Sequence, residues 1–140
     1  MGQEATSSLD SLQKDFGSRQ SLTGQVIGAA IDVHRALGPG LLESVYQACM
    51  CRELQLRNRE YVQQSELPVT YKGVRLDCGY RVDLIVGNRV LVELKSVQAV
   101  LPVHEAQLLT CMRLTNIPVG LLINFNVAVL KTVSNDESYS

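Results

Sequence analysis

Apolar positions recur along this chain with two different spacings, and the change of spacing divides it. From Thr23 to about Leu37 the spacing is helical. Val26, Ile27, Ala30, Ile31, His34 and Leu37 fall on one stripe, with Thr23 placed to cap it. His34, at the end of that stripe, reads as a packed boundary residue. Gly38-Pro39-Gly40 then breaks the chain sharply. A second helix is predicted over about Leu41–Leu56, its apolar face drawn from Leu42, Val45, Tyr46, Cys49 and Leu56. After a polar connection at Arg57–Glu60 the spacing shortens to that of strands. These run Tyr61–Glu66, Val69–Tyr71 and Val74–Leu76, with Lys72-Gly73 as a tight turn. Asp77-Cys78-Gly79 leads into Tyr80–Val97. Pro102 can start a third helix over about Val103–Leu114, closed by Asn116 and Pro118. Leu108, Leu109 and Met112 offer its apolar surface to a sheet. Val119–Phe125 is nearly all apolar and reads as a central strand, and Val127–Val133 as another. The order is that of an α/β layered domain, a mixed central sheet flanked by helices.

The two ends have neither rhythm. Met1–Ser21 is polar and Ser-rich, which predicts a flexible arm with a short helix at Leu9–Phe16. Ser134–Ser140 is a polar tail. The folded domain is therefore expected over residues 22–133.

The stretch around which the rest is arranged is Tyr80–Val97. Two apolar runs, Val82–Val86 and Val90–Val97, flank Gly87-Asn88-Arg89, a hairpin signal. Asp83, Glu93 and Lys95 interrupt these runs. A carboxylate in an apolar strand is costly to bury unless something pairs with it. Glu93 and Lys95 are two apart and share a strand face. Asp83 joins them only if the register allows. A two-residue turn at Gly87-Asn88 sets Asp83 opposite Val92 and puts the two acids on opposite faces. A three-residue loop with a bulge gathers them on one face and leaves the other apolar, and this is the arrangement predicted here. Two acids and a lysine on one face make either a metal site with a cationic helper or a solvated face with an internal ion pair. Glu43, in the first turn of the second helix, suits the helix dipole without further purpose. His104, Gln107 and Cys111 share a face of the third helix.

At 140 residues the chain is long enough for one domain with its own core, and 46% hydrophobic with 19% charged residues suits a globular protein. A net charge of −1 excludes a global basic field, so any nucleic-acid binding rests on a local patch or a metal. Cys49, Cys51, Cys78 and Cys111 show no metal or disulfide spacing and read as reduced thiols. With no long apolar run at the N-terminus, neither a signal peptide nor a membrane span is expected, and the cytoplasm is the default location.

Gly40-Leu41-Leu42-Glu43-Ser44-Val45-Tyr46 fits the pattern G-x-x-E-x-x-Y. With Asp83, Glu93-Leu94-Lys95, His104-Glu105-Ala106-Gln107 and Gly120-Leu121-Leu122-Ile123-Asn124-Phe125 in that order, the chain resembles the GxxExxY family. That family looks like a branch of the PD-(D/E)XK nuclease superfamily. The resemblance covers about Leu22 to Val133 and implies a restriction-endonuclease-like core. It implies Asp83 and Glu93 as ligands of a divalent metal, Mg²⁺ or Mn²⁺, with Glu43 as the additional acid that helps hold it. Lys95 would orient the attacking water or steady the phosphate, and Gln107 matches the glutamine that follows the E-x-K strand in RecB-like nucleases. A nuclease acting on DNA or RNA is implied; a fold this compact has little surface of its own for sequence readout, so a homodimer or a protein partner is expected. A non-catalytic binding module on the same scaffold is the alternative. Two departures stand out: Val82 replaces the proline before the aspartate, and Cys111 stands where relatives carry tyrosine.

Overall fold

The alternating apolar positions of the central strands give a sheet with two faces to bury, and helices cover both. The computed structural model describes residues 3–8, 21–127 and 129–134. In chain order the elements are β1 (Gln3–Ser8), α1 (Leu22–Leu37), α2 (Glu43–Leu56), β2 (Tyr61–Tyr71), β3 (Val74–Val86), β4 (Val90–Lys95), α3 (Pro102–Thr115), β5 (Val119–Asn124) and β6 (Val129–Ser134). The sheet runs β1-β6-β5-β4-β3-β2. Its central pair, β4 and β5, is parallel, with Val90 beside Val119 and Lys95 beside Asn124; α3 is the crossover between them. The other pairings are antiparallel.

One face carries Leu84, Val86, Val90, Val92, Leu94, Leu121 and Ile123, packed under α1 and α2. The other carries Leu91 and Leu122 under Leu108 and Met112 of α3. Gly120 lets α3 come close, because a Cβ there would stand 2.6 Å from Met112 Sδ and 3.1 Å from Leu108. Among the described residues, no helix is long and apolar enough to cross a membrane.

Several boundaries differ from the sequence reading. The cap of α1 is Ser21, not Thr23: the Ser21 hydroxyl accepts from Gly24 N at 3.0 Å. In α2 the buried residues are Tyr46, Met50, Cys51 and Leu54, whereas Leu42, Val45 and Leu56 face outward. The sheet meets the i, i+4 stripe through Tyr46, Met50 and Leu54. The three short strands expected between Tyr61 and Leu76 are parts of two long ones. The strand read at Tyr61–Glu66 runs on through Leu67-Pro68, and Asp77–Gly79, read as a lead-in, lies inside β3 between the paired residues Leu76 and Tyr80. A register shift between Leu67 and Val69 absorbs the extra residues of β3. The N-terminal arm also departs from expectation: Gln3–Ser8 pairs along its whole length with β6, Gln3 opposite Ser134. Edge pairing is a backbone interaction, to which a polar composition is no bar. The helix expected at Leu9–Phe16 lies outside the described residues.

The glycine-proline-glycine break is tied down by one side chain. Gly38 and Gly40 have φ of +70° and +94°, where L side chains are strained. The buried Tyr46 hydroxyl donates to Gly38 O at 2.5 Å and accepts from Leu41 N at 3.2 Å. Its ring stacks on Phe125, centroids 4.3 Å apart. The tyrosine of G-x-x-E-x-x-Y thus sets the turn from which α2 starts with Glu43. Tyr46→Phe leaves both backbone groups without this partner and is expected to cost about 1–3 kcal/mol. A lower urea midpoint at unchanged m-value would show it.

Candidate active site

The Gly87-Asn88 turn closes with Arg89 N donating to Val86 O, and the ladder resumes one residue late, Val86 opposite Val90. Arg89 is the extra residue. Pairing then continues through Ile85–Leu91 to Leu84–Val92 and stops, so the next residues in line are Asp83 and Glu93. There β3 and β4 separate, and carboxylates take over from the ladder. Leu94 N donates to Asp83 Oδ2 at 2.7 Å, and Asp83 N donates to Glu93 Oε1 at 3.3 Å. The acids sit in the fork because the fork exposes two amides that they satisfy.

This fork opens into a cleft of about 530 Å³ lined by Glu43, Asp83, Glu93, Lys95 and Gln107, with Gln64, Tyr80, Arg81, His104 and Cys111 among the others. All five candidate residues from the sequence therefore reach one cleft, from four elements. Glu43 is held in place by the turn beyond β4: its Oε2 accepts from Ser96 N at 3.3 Å, and Ser96 Oγ donates to Leu41 O at 2.6 Å. On α3, His104 serves the helix end, its Nδ1 accepting from Leu101 N at 3.0 Å. That leaves Gln107, one turn on, exposed at the cleft wall.

Electrostatically the site favours added positive charge. Burial, then the neighbouring Asp83 charge, pushes the Glu93 carboxyl up to about 8. Burial also raises Asp83, against the opposing effect of the Leu94 N–H. Lys95 lowers both acids, and Glu43 is the weakest of the influences on either. The Cys111 thiol is pushed up to about 11 by burial and then by both acids, so it stays protonated and is no nucleophile at neutral pH.

These are the features of a known group, and the comparison with family models agrees. The model of the PD-(D/E)XK nuclease superfamily matches residues 20–135. The chain belongs to that superfamily. No curated protein and no solved structure matches it. Among the described residues no three His, Cys, Asp or Glu side chains form a ready-made ligand cluster. The contact present is the Asp83–Glu93 pair.

Three contributors to this site escape sequence reasoning. Ser96 fastens α2 to the end of β4. Asn124 is the buried polar side chain of β5. Its Oδ1 accepts from Val97 N at 3.1 Å and its Nδ2 donates to Val97 O at 2.9 Å, which clamps the segment after Lys95. A lone amide ending an apolar strand was a readable signal. Gln64 is the third, and it left none. It donates to Asp83 Oδ1 at 3.4 Å and to Gln47 Oε1 at 2.5 Å from a left-handed backbone with φ of +50°. That conformation costs an L residue roughly 1–2 kcal/mol.

Proposed function

We propose that this protein is a cytoplasmic, metal-dependent nuclease of the GxxExxY branch that hydrolyses phosphodiester bonds in DNA or RNA. The observation that carries this reading is the half-buried Asp83–Glu93 pair in the fork of β3 and β4, with Lys95 on the same cleft. Two adjacent half-buried carboxylates repel, and a cation between them relieves that repulsion. The fit is to Mg²⁺ or Mn²⁺: hard oxygen donors, two carboxylates, and room in the cleft for the waters that Mg²⁺ retains. Asp83 and Glu93 would hold the ion, with Glu43 the further acid on the wall. When bound, it supplies Lewis acidity and an activated water.

The chain's own residues do the rest. Lys95, a cation and so no ligand for Mg²⁺, faces the cleft to neutralise charge that develops on the phosphate and to orient the attacking water. Gln107, exposed on α3, offers an amide to substrate from the opposite wall. The thiols of Cys49, Cys51 and Cys111 are free, which suits a reducing compartment.

The test is cleavage of single- and double-stranded DNA and RNA with Mg²⁺ or Mn²⁺, wild type against Asp83→Ala, alongside calorimetric titration of each with Mn²⁺. Metal-dependent cutting and Mn²⁺ binding, both absent from Asp83→Ala, are expected. Wild type that binds Mn²⁺ yet cuts none of these substrates at matched concentrations would leave a binding module.

A further inference from the structure

Five residues other than glycine have positive φ among the described residues: Asn58, Gln64, Lys72, Asn88 and Asn116. Four have ordinary reasons. Asn58 follows the end of α2, Asn116 caps α3, Asn88 makes the β3–β4 turn and Lys72 the β2–β3 turn. Gln64 lies inside β2. No inserted residue accounts for it, because the register is the same on both sides: Gln63 faces Leu84 and Ser65 faces Val82. The strand could run straight through, yet at this residue it does not.

What the torsion achieves is visible in the side chains. Successive residues of a regular strand point to opposite faces. Here Gln63 and Gln64 both reach Gln47 of α2: Gln47 Nε2 donates to Gln63 Oε1 at 3.4 Å, and Gln64 Nε2 donates to Gln47 Oε1 at 2.5 Å. The second hydrogen of Gln64 Nε2 is directed at Asp83 Oδ1, 3.4 Å away. Asp83 Oδ2 is already engaged by Leu94 N at 2.7 Å. Each oxygen of that carboxylate thus has its own donor, one from the main chain of β4 and one from an amide anchored on α2. Backbone strain held at a site by its surroundings points to use there.

We propose that Gln64 is a positioning residue for the metal site: its left-handed backbone exists to aim an α2-anchored amide at Asp83 and fix the plane of that carboxylate. This rests on Asp83 being a metal ligand, as argued above. Groups that orient a ligand without touching the metal commonly matter about 10–100-fold in affinity. The torsion itself supplies the means to separate this role from a structural one. Glycine accepts a φ of +50° without strain, so Gln64→Gly removes the amide while relieving the backbone.

The experiment is calorimetric titration of the full chain with MnCl₂, for wild type, Gln64→Gly and Gln64→Asn, with melting of each in EDTA. Asparagine tolerates the left-handed backbone but is one methylene shorter. Both variants are expected to melt at or above the wild-type temperature in EDTA and to bind Mn²⁺ about 10–100-fold more weakly. Wild-type Mn²⁺ affinity in both variants would overturn the positioning role alone. Folded variants whose melting temperature falls with affinity would make Gln64 a structural residue and overturn it likewise. If Gln64→Gly does not fold, Gln64→Asn decides. A wild type that binds no Mn²⁺ would overturn the metal-site reading, and this inference with it.

Discussion

Lys95→Ala is expected to lower metal-dependent cleavage by about 10²–10³-fold or more while leaving Mn²⁺ binding and thermal stability near wild type. The lysine stands two residues after Glu93 on β4, so both project from one strand face toward the cleft. It is close enough to lower both acids. An ammonium that is not a ligand acts on water or phosphate, and its loss belongs to the chemical step. Single-turnover cleavage, compared with calorimetry on the same preparations, checks this. A variant that cuts at the wild-type rate would point to a different active site or a contaminating nuclease.

The second large effect is a pH dependence that metal reverses. Glu93 has its carboxyl pushed from an ordinary 4.5 to about 8 in the folded chain. Between those values the native state holds a proton that the unfolded state has released. Stability is therefore full below about 4.5 and is lost as pH rises toward 8, by an amount on the order of a few kcal/mol. In EDTA the urea midpoint should be higher near about pH 5 than near about pH 9. Glu93→Gln keeps an oxygen to accept from Asp83 N but carries no charge, so it should flatten this dependence and raise stability at the alkaline end. Excess Mn²⁺ should stabilise the wild type most at alkaline pH, since binding to the native state alone adds RT ln(1 + [L]/Kd), about 2.7 kcal/mol at a hundredfold excess. Glu93→Gln should lose that gain. Destabilisation by Glu93→Gln at about pH 9 would instead mark Glu93 as the partner of a structural ion network.

How far the sequence could be read depended on which atoms made each contact. Burial made the hairpin legible: only the register that places Asp83 in line with Glu93 keeps Leu84, Val86, Val90 and Val92 on one apolar face. The same logic placed Leu108 and Met112 of α3 against the sheet. It failed where backbone did the pairing. Gln3–Ser8 is a mostly polar run whose composition says nothing of the ladder it joins, and Asp77–Gly79 sits in β3 at a register shift that no apolar spacing announces. In the cleft, the charged residues were conspicuous because charge is expensive among Val and Leu. Ser96 and Gln64 were not, because a serine after a strand and a glutamine in a polar run are ordinary anywhere. A torsion angle leaves no mark in composition.

That torsion has a consequence for how copies of the chain meet. β2 is one of the sheet's two outer strands, 11 residues long. A flat free edge of such length is a template onto which another strand can zip, in a neighbouring copy or a growing aggregate. Here the edge is interrupted twice, by the turned peptide at Gln64 and by Pro68, which has no N–H to offer. What remains is three-residue runs at Tyr61–Gln63, Ser65–Leu67 and Val69–Tyr71, each a shorter template than the whole strand. The residue that reaches Asp83 thereby also breaks the regularity of this edge.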